Sequence, residues 1–193
     1  MLTKKEISFN EVLRRWAIGE IKSKIFGLDS YFIDRENLKK GNFSNLYIIE
    51  QYLPNRKDFI FTICLLEPKW YLIDFKYIKN KFPKLYTIKD NTWFKYSNNT
   101  YNFSIAADYL IHNKNDQRVN AIINSFENLD CDDFLGIALI KPINKDYYII
   151  TEGHARMVAI YNKLVIKKER LKIPIKITIG YIKKDDWVLS PLI

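Results

Sequence analysis

This chain is poor in the residue types that carry most recognisable chemistry: 2 His, 2 Cys, 2 Met, 6 Gly and 6 Pro among 193 residues. The lone histidines His112 and His154 and the distant cysteines Cys64 and Cys131 do not form a zinc-ligand spacing. So few cysteines exclude a disulfide-built fold and read as free thiols, buried or half-buried, in a protein expected in the cytoplasm. The glycines form no Walker-type phosphate loop, and no Gly-x-Ser-x-Gly elbow occurs. The longest apolar run, Phe59 to Leu66, is too short to span a bilayer, and Met1-Leu2-Thr3-Lys4-Lys5-Glu6 lacks the apolar core of a signal peptide, so no membrane partner is expected.

Negative charge is also scarce. Asp+Glu number 22 against Lys+Arg 31, a net charge of +9 that favours polyanions at low salt. The excess is scattered as pairs at Lys4-Lys5, Arg14-Arg15, Lys39-Lys40, Lys167-Lys168 and Lys183-Lys184, which fits either a solvated surface or one anion-attracting face. What is present is globular: 48% of residues are hydrophobic, with no repeat or low-complexity tract.

The pattern predicts an α+β protein with an N-terminal α/β extension over residues 1–103 and a second domain over 104–193. Val12, Leu13, Trp16, Ala17, Ile21 and Ile25 fall at helical spacing, interrupted by Gly19. A short helix near Leu46 to Leu53 and strands at Phe59–Leu66 and Trp70–Ile78 follow. Aromatic and polar residues alternate between Tyr86 and Phe103 around Asn98-Asn99, which predicts one or two hairpins serving as cross-strand packing, a lid or a base-stacking surface.

Further on, Asp116 caps a helix with the apolar stripe Val119, Ile122, Ile123, Phe126 and Leu129, ended by the acidic loop Asp130 to Asp133. Strands at Leu135–Ile140 and Tyr147–Thr151 are joined by the turn Pro142 to Asp146. Gly153 then breaks the second strand into a helix reaching about Ile166, along which Arg156, Lys163 and Lys167 mark a basic strip. Ile173, Ile175, Ile177, Ile179 and Tyr181 alternate with Pro174, Lys176, Thr178 and Gly180, as in a half-exposed closing strand.

The centre of interest is Thr151-Glu152-Gly153-His154-Ala155-Arg156, a strand that passes through a glycine turn into a helix. Free N–H groups and the positive end of the helix dipole attract phosphate at such a turn, and an arginine adds a bidentate grip. Thr151, Gly153, His154, Ala155 and Arg156 are therefore the candidate phosphate- or nucleotide-binding residues.

The order helix, strand, tight turn, strand, Gly-His-Ala-Arg, helix, strand over residues 104–182 resembles the ParB/sulfiredoxin-like family. Gly153, Arg156 and Ala159 meet its Gly-x-x-Arg-x-x-Ala pattern, and Glu152, Gly153, His154 and Arg156 meet the acid plus Gly-His-x-Arg of its free-serine-kinase-like branch. The catalytic cysteine that sulfiredoxins carry after the glycine is replaced by His154, and Ala155 stands where they have histidine, which excludes sulfinic acid reduction by that route. ParB proper has Glu-Arg-Arg after the glycine and a helix-turn-helix domain beyond; neither is found here, which argues against chromosome-site clamping.

The kinase-like branch implies a glutamate base in the loop before the preceding helix. That loop, Ile111 to Asp116, holds one acid, Asp116, which either substitutes for the base or caps the helix. The resemblance implies ATP or another nucleotide with Mg²⁺ as cofactor, with Glu152, His154 and Asp116 as candidate catalytic residues and Glu152 as metal ligand or substrate-orienting group. The reading is a nucleotide- or phosphate-binding protein, a phosphotransferase or nucleotide hydrolase acting on a small molecule. The alternative is a nucleic-acid-binding or nuclease-like protein using the same turn, with Arg14-Arg15 and Lys163–Lys167 as a basic track.

Overall fold

The computed structural model describes residues 4–24, 30–114 and 116–183. In chain order its elements are β1 (Lys4–Glu6), α1 (Phe9–Lys24), α2 (Ser30–Lys40), α3 (Asn45–Tyr52), α4 (Lys57–Cys64), β2 (Lys69–Asp74), β3 (Leu85–Thr87), α5 (Asn91–Tyr96), α6 (Phe103–Asn113), α7 (Gln117–Asn124), β4 (Ala138–Pro142), β5 (Tyr148–Glu152), α8 (His154–Tyr161) and β6 (Lys176–Ile182). The protein is thus α+β, built on one mixed six-stranded sheet in the order β1-β2-β6-β4-β5-β3. β2 lies antiparallel to β6, β4 parallel to β6 and antiparallel to β5, and β3 parallel to β5. The boundary expected at residue 103 runs through this sheet, because β2 and β3 pair with β6 and β5.

The central strands are apolar on both faces, as strands covered on both sides must be. Leu139, Tyr148, Ile150, Ile177 and Ile179 face a core completed by Phe103, Leu110, Val119, Met157 and Ile160 of α6, α7 and α8. Ala138, Ile140, Ile149 and Ile182 face a second core with Trp16, Leu38, Ile48, Ile60 and Ile63 from the four N-terminal helices. β6 is therefore a buried inner strand rather than the half-exposed closing strand its Lys and Thr residues suggest.

Several expectations need correction. Phe59–Leu66 is not a strand: α4 buries Ile60, Ile63 and then Leu66 at a spacing of three, and leaves Phe61 and Leu65 exposed. Burying an isoleucine stabilises by about 1.5–3 kcal/mol, so two anchors at helical spacing outweigh the β propensity of the run. The second strand stops at Asp74, where a 3₁₀ turn over Phe75–Tyr77 begins. The Tyr86–Phe103 segment is not a run of hairpins: a single antiparallel bridge, Tyr86 with Asn102, joins its ends, and a helix lies between them. Asp90 caps α5 by accepting from Thr92 N (2.8 Å), and Asn98 and Asn99 adopt positive φ just after it. Both Cys64 and Cys131 are free but exposed. Ile25, expected on the first helix, lies outside the described residues.

α7 begins where Asp116 Oδ1 accepts from Val119 N at 2.9 Å. It ends at Asn124, and Phe126–Asn128 continues as a 3₁₀ turn. The acidic loop folds into another 3₁₀ turn, Cys131–Phe134, closed by a reciprocal cap between Asp130 and Asp133. Asp133 is buried 3.2 Å from the Arg35 guanidinium, an internal ion pair, while Asp130 stays exposed and Asp132 half-exposed.

Candidate functional site

Gly153 shapes the turn between β5 and α8. Its φ is +83°, and a Cβ there would lie 2.8 Å from Ile137 Cγ1 and 2.9 Å from Ile137 Cα, so only glycine fits. Met157 N donates to Gly153 O at 2.9 Å, the first bond of α8. No side chain caps this helix, which leaves the N–H groups of His154, Ala155 and Arg156 uncapped at its positive end.

The side chains predicted to line the turn are distributed differently. Thr151 is buried, its hydroxyl donating to Ala138 O at 3.1 Å, which locks β5 to β4. Glu152 is buried, with Oε1 accepting from Gly153 N at 2.8 Å and Oε2 lying 3.4 Å from Arg56 Nη2. Burial raises its pKa above the usual carboxylate value and Glu20 adds to the rise, while Arg56 opposes it. Asp116 is placed as the α7 cap described above. The structure thus brings Glu152, Gly153 and His154 together and leaves Asp116 in a capping role.

Arg156 is the main departure. It is 5% exposed, and its Nη2 donates to the carbonyl of Gly19 on α1. α1 approaches so closely here that a Cβ on Gly19 would stand 2.9 Å from Gly136 Cα and 3.4 Å from the Arg156 guanidinium. The glycine that interrupts the helical pattern of α1 is what admits the arginine. Arg156 joins the helices of one face to those of the other around the end of the sheet, so it is a positioning residue and not an open phosphate clamp. The basic strip dissolves likewise: Lys163 is buried against Glu127 and Glu169, while Arg14 and Arg15 both bind Glu11.

The accessible cations are two arginines that the sequence did not single out. Arg56 Nη2 lies between Glu152 Oε2 (3.4 Å) and Glu20 Oε1 (3.6 Å), with its side chain 36% exposed. Arg118 Nη2 is 3.9 Å from the same Glu20 oxygen, with its side chain 41% exposed. Arg56 follows a Pro-Asn turn and Arg118 stands two residues after the Asp116 cap; those local cues were available, but the convergence on Glu20 needs the tertiary fold.

His154 reports the resulting field. Its pKa is pushed down to about 3, first by burial and then by Arg56 and Arg118, so the ring is neutral. A backbone hydrogen bond at Ile150 holds the ring, and Nε2 is buried with no hydrogen-bond partner. Trp93 of α5 stacks over it with ring centroids 4.6 Å apart and planes 26° from parallel. The aromatic stretch expected to form a wet hairpin thus supplies a helix whose tryptophan covers the first turn of α8.

Mg²⁺ does not fit this set. Both Glu152 oxygens are engaged, and among the described residues no group of three His, Cys, Asp or Glu side chains is placed to hold a metal. No described helix is long and apolar enough to cross a membrane. No family model matches the chain, and neither a curated protein nor a solved structure is detectably similar to it.

Proposed function

We propose that the protein binds a phosphate-bearing ligand of the nucleotide class at the Gly153 turn, within a ParB/sulfiredoxin-like domain over residues 104–182. The observation that carries this reading is the approach of Arg56 and Arg118 to the uncapped first turn of α8, where both add to the burial that depresses His154. Three arginines, Arg56, Arg118 and Arg156, gather around Glu20 and Glu152, with Asp133 acting on Arg156 and Asp90 on His154. Phosphate oxygens meet uncapped N–H groups and the exposed guanidinium groups of Arg56 and Arg118, and Arg156 fixes the helix that presents them.

His154 takes a narrower part than a phosphate donor. With one ring nitrogen donating to Ile150, neutral Nε2 carries the lone pair and accepts from a hydroxyl or amine. A group with a pKa near 3 is a weak base, so His154 orients a hydroxyl rather than deprotonating it. Phosphoryl transfer to a hydroxyl-bearing small molecule, or to water, is the chemistry in keeping with such a site.

Thermal shift and calorimetric titration with ATP, ADP and CTP, each with and without Mg²⁺, test this. Nucleotide should raise the melting temperature of the wild type. Arg118→Ala should weaken binding by about 10–100-fold, the loss of one charge-assisted phosphate contact. A melting temperature that no nucleotide moves, or an Arg118→Ala variant that responds as strongly as wild type, would sink the assignment. Release of inorganic phosphate or nucleoside diphosphate reports turnover.

A further inference from the structure

At the other end of β4, three residues beyond the Glu152 partner Ala138, the sheet presents a different surface. Lys69 of β2 is the register partner of Tyr181 on β6, and Tyr181 is also the partner of Lys141 on β4. Lys141 Nζ in turn lies 5.5 Å from the ring centroid of Tyr148 on β5. Register partners project to the same face, so Lys-Tyr-Lys runs across β2, β6 and β4, roughly 10 Å at two inter-strand spacings, and ends against the buried Tyr148, with Lys141 Nζ donating to the carbonyls of Pro142 and Lys145. Tyr71, two residues along from Lys69, meets Tyr181 edge-on at 5.7 Å.

Lys4 on β1 completes the arrangement. Its ammonium sits 3.7 Å from the Tyr71 ring centroid and 4.0 Å from that of Tyr181. The groove of about 570 Å³ alongside is lined by Lys4, Lys69 and Lys183 with one acid, Glu67. None of these three lysines has a carboxylate partner among the described residues. What sets the groove apart is that these three lysines gather beside the Tyr71 and Tyr181 rings with a single acid in the lining, whereas Lys39, Lys84, Lys163 and Lys172 are each ion-paired.

We propose that this Lys–Tyr face binds single-stranded nucleic acid. Charge complementarity selects a polyanion, and the half-buried rings of Tyr71 and Tyr181 beside the lysines select one with unstacked bases. In the free protein Lys4 occupies the place of a base. An exposed cation–π contact is weaker than base stacking, so a base displaces the ammonium, which then meets the adjoining phosphate. A duplex keeps its bases stacked on one another and offers the tyrosines nothing. The site is separate from the Gly153 turn and does not depend on the nucleotide reading.

The test is fluorescence anisotropy of the full chain with labelled oligo-dT and oligo-U of twelve nucleotides, a duplex of equal length, and vesicles containing phosphatidylserine. Single strands should bind more tightly than duplex, with log affinity falling against log salt at a slope of about −2 to −3, as three or four phosphate contacts give. The double change Tyr71→Ala, Tyr181→Ala should weaken binding about tenfold or more, and Tyr71→Phe, Tyr181→Phe should retain it. Should the alanine variant fail to fold, the surface changes Lys69→Glu and Lys183→Glu decide: both should lower affinity and flatten the slope. The proposal is overturned by equal or tighter duplex binding, by binding to vesicles but not to oligonucleotide, or by full affinity in the Lys→Glu variants. A loss on Arg118→Ala as large as on Tyr71→Ala, Tyr181→Ala also overturns it, by moving the ligand to the Gly153 turn.

Discussion

The two ends of the sheet hold positive charge in opposite ways. At the Gly153 end the cations are arginines built into the fold: Arg156 is buried on a backbone carbonyl, and Arg56 lies between two carboxylates. At the Tyr181 end Lys4 rests on the Tyr71 and Tyr181 rings, and Lys4, Lys69 and Lys183 have no carboxylate partner among the described residues. The planar, weakly hydrated guanidinium keeps its charge and its fork of donors when buried, whereas an ammonium stays near water on a flexible stem. One end is therefore rigid and suits a ligand of fixed shape. The other is adaptable and suits a polymer of variable sequence.

If that contrast holds, stability should be concentrated at the first end. Arg156→Ala should cost the most, about 3–5 kcal/mol by urea denaturation, because it leaves Glu152 and the Gly19 carbonyl uncompensated in the interior. A loss below about 1 kcal/mol, the scale of a surface pair, would erase the distinction.

Next come the glycines of the two ends. Gly153→Ala should destabilise by roughly 2–4 kcal/mol, since the methyl meets Ile137 backbone and side chain and φ is left-handed. Gly180→Ala, close to Tyr181, should cost less, about 1–2 kcal/mol, because no left-handed φ adds to the contacts at 2.9–3.0 Å with Ile140 Cδ1, Pro68 Cβ and Trp70 Cε3, of which only Ile140 Cδ1 yields freely. Equal costs would show that the backbone at the Gly153 turn yields.

Acid response should sharpen the comparison further. His154 has a folded pKa of about 3 against an ordinary 6.5, so between those values the unfolded chain holds a proton that the folded protein lacks. Stability should rise with pH across that window by up to about 1.4 kcal/mol per unit and level off above it. Glu152 acts with opposite sign: its folded pKa lies above 4.5, so its contribution falls as pH rises from there through the folded value. His154→Gln should flatten the acid slope and Glu152→Gln should steepen it, as followed by melting temperature against pH. Smallest of all, Lys69→Ala and Lys183→Ala should change stability by less than about 0.5 kcal/mol. A larger loss would mean that the lysines at this end are also part of the fold.

How much of this was legible in the sequence follows the range of the interactions involved. The first helix, the Asp116 cap, the β4–β5 pair and the Gly153 turn are set by neighbours within a few residues, and spacing revealed them. Phe59–Leu66 was misread because a short apolar run satisfies both periods, and the burial of Ile60 and Ile63 decides between them. Arg156 looked exposed because nothing near it in sequence shows that α1 passes overhead. The site was only half visible for the same reason. Its turn is local, but Glu20, Arg56, Trp93 and Arg118 arrive from four separate elements or their flanks. The Lys–Tyr row was invisible until register set Lys69, Tyr181 and Lys141 side by side.

The pairing of β2 with β6 also sets a schedule. β2 ends at Asp74 and its partner ends at Ile182, so at about 5–20 residues per second the ribosome leaves the inner edge of β2 without a neighbour for roughly 5–20 s. The hydrogen bond from Arg156 to Gly19 joins positions 137 residues apart and cannot form before α8 has been made. Until then Trp70, Leu72 and Ile73 present an apolar edge to the cell, and the neighbouring Lys4, Lys5 and Lys69 are charges of the kind that discourage strand-to-strand aggregation. The lysines of the far end thereby gain a task in the nascent chain, before any ligand is met.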